Sequence, residues 1–268
     1  MKNSLLFLRS FGDFVIALSV ISKSNSTSSY RFIASVHLEP LYKAIRKKFP
    51  DLPIQVEFHD FHIRKKILGA FTNKHLLDLH SFKELKQLAG LVKVLSAESI
   101  VYLEQQRRLW LTNLFMPKHD FIHANGNIYA SYGAQFGVTT PSLFFATGLP
   151  SPKKIMIFPE SRKPDKAFSP AFVQDLVNKY QHEEVEVSVA FFKQEPYSVK
   201  AKVVFHDSFD DLLELVETAD EIVTADSLPA HLAQLMTKPH RVYYPKAVDE
   251  EWVTPYCKAN QTFGIFKN

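Results

Sequence analysis

Short unbroken apolar runs, each followed by a polar turn and then a stretch with helical spacing, recur along this 268-residue chain, and that alternation leaves few folds open. Continuous rather than alternating apolar residues suit strands buried on both faces, the condition of a parallel sheet covered by helices. The first run, Leu5-Leu6-Phe7-Leu8, stops at Arg9-Ser10-Phe11-Gly12-Asp13, and Phe14 to Ile21 then has helical spacing. Strands are expected next at Arg31 to Val36 and Ile54 to Phe58, around a helix from Leu38 to Phe49 that ends at Pro50 and Pro53. Ser81 and Glu84 form a capping box for a helix reaching about Leu95, and Ile100 to Leu103 reads as a further strand. Phe121 to Phe145 carries no clear period.

The densest cluster of breakers lies between Thr139 and Lys154, with Pro141, Gly148, Pro150 and Pro152. A domain boundary is placed there, giving an N-terminal domain over 1–148 and a C-terminal one over 149–268. Domains usually run about 100–200 residues, so two fit the length. The second half repeats the alternation: a strand from Lys154 to Pro159, a helix opened by Ser169-Pro170, strands at Val185 to Phe191 and Val203 to His206, and a helix from Asp207 to Thr218. A strand from Glu221 to Thr224, a helix from Pro229 to Met236 and a strand from Arg241 to Tyr244 follow. The fold class is α/β with parallel sheets joined by helical crossovers. In such sheets ligands bind beyond the carboxyl ends of the strands.

The charged share of 22% and hydrophobic share of 46% are those of a globular chain. The single cysteine, Cys257, excludes an intramolecular disulfide framework and, with no secretory leader read at the N-terminus, points to the cytoplasm. The basic clusters Arg46-Lys47-Lys48, Arg64-Lys65-Lys66 and Arg107-Arg108 read first as solvated helix faces. Their alternative is attraction to phosphorylated glycolipid or an acidic membrane surface. No zinc-knuckle, RRM or KH signature supports a nucleic-acid partner.

Three strand-to-helix turns carry the polar groups. In Ser10-Phe11-Gly12-Asp13, Gly12 lets the chain turn tightly, and Asp13 near the helix start is either an N-cap or a carboxylate base facing an interdomain cleft. The turn Phe158 to Phe168 holds Arg162, Lys163, Lys166 and the Ser161 hydroxyl, which fit phosphate binding or a solvated loop equally well. In Thr224 to Ala233, Asp226 and Ser227 precede a helix whose first turn carries His231; they either cap and fill a core or clasp an anion at the helix N-terminus. No cluster has metal-ligand spacing, and no metal or other cofactor is expected.

At these residues the sequence resembles glycosyltransferase family 9, the bacterial heptosyltransferases. The features are Gly12-Asp13 after the first strand, Lys166-Ala167-Phe168-Ser169 after the linker, and Asp226-Ser227-Leu228-Pro229-Ala230-His231-Leu232-Ala233 with Lys238-Pro239. The resemblance implies a GT-B arrangement, two Rossmann-like domains whose parallel sheets face a central cleft. It implies Asp13 as catalytic base, with Ser161, Lys166, Asp226, Ser227 and His231 along the donor diphosphate and Glu195 at the donor ribose. Implied too is inverting, metal-independent transfer of heptose or a related sugar from a nucleotide diphosphate to a lipopolysaccharide core or other surface glycan. The partners would be a nucleotide-sugar donor and a glycolipid or glycan acceptor, with peripheral contact at the inner face of the inner membrane. Leu228 stands where the family has Gly, and Glu160 where it has a small residue. These departures keep two alternatives open, a nucleotide-sugar-binding homologue impaired in turnover and a GT-B-like nucleotide-sugar epimerase.

Overall fold

A computed structural model describes residues 3–7, 10–25, 27–60, 86–87, 89–91, 93–95, 100–104, 119–122, 126–139, 152–182 and 185–266. The boundary expected near residue 148, the Ser81–Glu84 capping box and the basic clusters at 64–66 and 107–108 lie outside them.

Two wholly parallel sheets hold the chain together. The first contains β1 (Asn3–Phe7), β2 (Tyr30–Ser35), β3 (Val56–His59), β4 (Val101–Glu104) and β5 (His119–Ile122) in the order β3-β2-β1-β4-β5. The second contains β6 (Lys154–Phe158), β7 (Glu186–Phe192), β8 (Lys202–His206), β9 (Glu221–Ala225), β10 (His240–Tyr244) and β11 (Phe263–Ile265) in the order β11-β10-β9-β6-β7-β8. Each order reverses beside its own first strand, between β1 and β4 and between β6 and β9. Crossovers leave in opposite directions at such a point and open a crevice there, which is where doubly wound sheets hold ligands.

Helices α1 (Phe11–Ile21), α2 (Glu39–Lys48) and α3 (Ile128–Phe136) belong to the first half, and α4 (Pro170–Gln181), α5 (Phe209–Thr218), α6 (Leu228–Leu235) and α7 (Pro255–Asn260) to the second. Their starts follow local chemistry. Ser169 accepts from the Phe172 amide ahead of Pro170, and Ser208 and Asp211 complete a reciprocal capping box on α5. Helix α3 occupies the stretch whose period was unreadable: Asn127 accepts from the amides of Tyr129 and Ala130, and Gly137 closes the far end at φ 66°. Strand β11 and helix α7 were not expected. No helix among the described residues is long and apolar enough to cross a membrane.

One apolar core runs through both halves. Residues Phe14 to Ile21 of α1 are all buried, and they join a cluster that includes Phe7, Phe32 and Tyr129 of the first half and Met156, Leu212, Ile222 and Leu232 of the second. A second cluster lies on the other face of the β6–β11 sheet, around Ile157, Val189 and Phe168. The basic residues of α2 line a largely solvated face, as expected, and each also has a partner. Lys47 pairs with Asp210 at 3.2 Å, Lys48 pairs with Glu217, and Arg46 donates to the Leu52 carbonyl. Two of the three cations therefore tie α2 to α5 across the halves, and the acidic first turn and outer face of α5 supply their partners.

Candidate active site

The crevice between β6 and β9 is spanned by an ion pair. After β6, the loop from Pro159 is closed by the Phe168 amide donating to the Pro159 carbonyl at 2.9 Å. Phe168 anchors it, buried with ring neighbours Phe172 and Phe266 at centroid distances of 5.1 and 5.0 Å. That anchor sets Lys166 at the end of a short 3-10 turn, from which its ammonium reaches the carboxylate of Asp226 beyond β9. Asp226 is 8% exposed, and Lys166 is the partner that compensates this nearly buried carboxylate.

Glu160 belongs to the same loop and points the other way. Its carboxylate accepts from the Phe192 amide at the end of β7, and β7 and β9 flank β6 on opposite sides. Partial burial pushes its carboxyl above the ordinary range, opposed by that amide. Glu160 thus turns away from the Lys166–Asp226 pair. Ser161 accepts from the Lys163 amide at 3.4 Å within its own turn, and Arg162 and Lys163 are exposed. Glu195 lies beyond β7, exposed, its carboxylate accepting from the Val199 amide at 3.3 Å. Neither Ser161 nor Glu195 is drawn to the Lys166–Asp226 pair.

At the start of α6, Ser227 is in an extended conformation and does not cap with its side chain. Its hydroxyl donates to the Ala225 carbonyl at 3.2 Å and lies 3.3 Å from the Thr224 hydroxyl. The first-turn amides of α6 are therefore not covered by the Ser227 side chain, the feature of a helix N-terminus open to an anion. Leu228 lies half-buried against the shared core.

The first half contributes α1. Ser10, not Asp13, is the N-cap, accepting from the Asp13 amide at 3.5 Å, so Asp13 sits in the first helical turn. Gly12 is helical and does not use the freedom expected of it for a tight turn. Its missing side chain matters for another reason: a Cβ there would lie 3.1 Å from Cδ2 of His231. The cleft thus narrows to contact at Gly12, and His231 of α6 bridges to the turn that carries Asp13.

His231 is buried, and burial lowers its pKa to about 4, opposed by the charges of Asp226 and Asp13. It is a neutral imidazole at neutral pH. Its Nδ1 lies 2.8 Å from the hydroxyl of Tyr129, a fully buried residue of α3 that sequence reasoning missed. The pattern Asn127 to Gly137, a capping residue and a C-terminal glycine nine residues of helix apart, was the available signal. Among the described residues no three His, Cys, Asp or Glu side chains are grouped to hold a metal ion.

A pH dependence of stability follows. A histidine whose folded pKa is lowered to about 4 costs stability as pH falls below its unfolded value, since the unfolded chain then binds the extra proton. The loss begins near pH 6.5 and is complete below pH 4, amounting to about 3 kcal/mol at 1.4 kcal/mol per pH unit. His206 acts in the same direction and His240, whose pKa is raised, in the opposite one, so the His231 share is read by difference. His231→Asn should flatten urea-derived stability between pH 6.5 and 4 relative to wild type. An unchanged slope would show that the imidazole is not held neutral by its surroundings.

No protein-family model matches the chain, and no curated protein matches it in sequence. Solved structures do. The E. coli heptosyltransferase WaaC, determined with ADP, superposes with a TM-score of 0.60 at 14% identity, over 100% of this chain and 93% of that one. The E. coli ADP-heptose lipopolysaccharide heptosyltransferase II gives 0.59 at 12%, over 99% and 90%. A family 9 glycosyltransferase from Veillonella parvula gives 0.60 at 12%, over 99% and 86%. The fold is that of GT-B heptosyltransferases, as the resemblance implied.

Proposed function

We propose that this protein is an inverting glycosyltransferase that moves heptose or a related sugar from a nucleotide diphosphate to a lipopolysaccharide core or other surface glycan. The observation that carries the reading is the convergence of three turns on one spot: Lys166 and Asp226 across the β6/β9 crevice, the α6 N-terminus beside them, and α1 with Asp13 laid against His231. A similar fold in WaaC was determined with ADP, which fits an anion of that class.

In this mechanism the diphosphate lies over the first turn of α6, and Lys166 turns from Asp226 toward it. Asp13 takes the proton of the acceptor hydroxyl as that oxygen bonds to the anomeric carbon. The bond from that carbon to the diphosphate oxygen breaks on the opposite face, so the anomeric configuration inverts. The charge that develops on the leaving diphosphate is met by helix amides and an ammonium already in place, usually the largest electrostatic contribution to such a step. Lys166 supplies the positive charge there, and the reaction is metal-independent. The acceptor glycolipid would bring the enzyme to the inner face of the inner membrane.

Incubation with ADP-heptose and a truncated lipopolysaccharide core tests this. A glycoside of inverted configuration is expected. A free altered sugar would indicate an epimerase, and bound but unreacted donor would favour the impaired homologue, for which Leu228 at the first residue of α6 is the specific ground. Lys166→Ala should weaken ADP binding about 10- to 100-fold in calorimetry, the loss of one hydrogen bond to a charged group, while adenosine binding is unaltered. ADP affinity equal to wild type would remove Lys166 from the phosphate site. Because the substitution strands Asp226, Lys166→Ala combined with Asp226→Asn serves as the control for misfolding.

A further inference from the structure

Tyr129 enters none of the three turns, yet its hydroxyl is bonded to the imidazole of His231, which also touches α1 at Gly12. The two rings belong to different sheets' helices, α3 and α6, with centroids 6.1 Å apart. Among the described residues, the Nδ1 atom of His231 is the only hydrogen-bond partner of the Tyr129 hydroxyl. Burial raises the Tyr129 pKa well above 10, so the phenol keeps its proton. If Nδ1 carried the imidazole proton and donated, that phenol proton would be buried without an acceptor, at a cost of about 1–3 kcal/mol. The satisfied arrangement has the phenol donating to Nδ1, which leaves the imidazole proton on Nε2.

The Nε2 edge faces the turn that opens α1. It lies 3.6 Å from the point a Gly12 Cβ would occupy, with the Ser10 hydroxyl 3.9 Å from the same point. The charged and titratable groups that act on the ring are Asp226, Asp13, His240 and Lys166. We infer that Tyr129 is a positioning residue: it fixes His231 as the Nε2–H tautomer, so that the imidazole offers the diphosphate an uncharged N–H donor from the α6 side of the Gly12 contact. This rests on the proposed donor site but on different atoms. An uncharged donor suits the place, because an imidazolium would hold Asp13 as its ion partner and compete with the acceptor hydroxyl for the carboxylate.

The tautomer is read directly by long-range ¹H–¹⁵N correlation spectra of the ¹⁵N-histidine-labelled full chain at pH 7, with His231→Asn assigning the ring by its loss. Wild type should show a protonated Nε2 and an unprotonated, hydrogen-bonded Nδ1 at His231. Tyr129→Phe, which keeps the ring volume, should populate both tautomers and lower ADP affinity about tenfold while leaving adenosine affinity unchanged. A wild-type spectrum with the proton on Nδ1 overturns the inference, and that reading stands even if the variant folds poorly. So does a variant with a shifted tautomer and unaltered ADP affinity. The spectrum needs no substrate, so a protein with the expected tautomer that forms no glycoside would defeat the transferase reading and leave the tautomer assignment intact.

Discussion

Asp13→Ala should lower sugar transfer by about 10²- to 10⁴-fold, the contribution of a positioned general base, while ADP binds as it does to wild type. The two effects separate because the helix start does not depend on this carboxylate. Ser10 caps α1 and Gly12 makes the contact with His231, so removing the Asp13 side chain leaves the frame of the site in place. Loss of a carboxylate from the first turn costs the helix only about 0.3–1 kcal/mol through its dipole. Initial rates at saturating donor, alongside ADP titration, decide the point. Transfer at the wild-type rate would exclude Asp13 as the base, and equal loss of ADP affinity and rate would make it a structural residue.

Phe14→Ala should cost about 3–5 kcal/mol and destabilise both halves together. Phe14 is 1% exposed, meets Phe7 edge-on at 5.1 Å and lies 6.3 Å from Tyr42. These neighbours are in the first half, but the cluster they belong to continues through α1 to Leu232, Ile222 and Met156 of the second. A cavity opened in a shared core weakens the whole, so calorimetry should show one transition lowered by roughly 10 °C. A variant that melts in two steps, with the β6–β11 sheet at the wild-type temperature, would show that the halves are independent.

The elements were legible where one residue type had one physical job. Pro170 behind Ser169 could only open a helix, and the apolar runs at Leu5 and Ile155 could only be strands covered on both faces; both stand where the sequence put them. The Lys166–Asp226 juxtaposition was legible as well, through the rule that ligands gather at the carboxyl ends of strands. Gly12 misled, because a glycine after a strand announces a turn, and the contact it actually serves comes from a residue more than two hundred positions away. The partners of the α2 cations Lys47 and Lys48 were unreadable for the same reason: Asp210 and Glu217 belong to the other sheet's helix. Tyr129 could not be found, since the bond that gives it a role joins two helices whose proximity only the assembled core determines. Local chemistry was readable; contacts between the halves were not.

That core also limits how this protein can change over generations. In an architecture of two separable nucleotide-binding folds, one half can be exchanged to bring in a new donor while the other keeps its acceptor. Here α1 and α6 are each other's covering, so a second half taken from a relative would arrive with the wrong apolar face for the α1 it must meet. The shared core therefore makes the two halves a single unit of inheritance, free to vary mainly in loops outside it such as Pro159–Phe168.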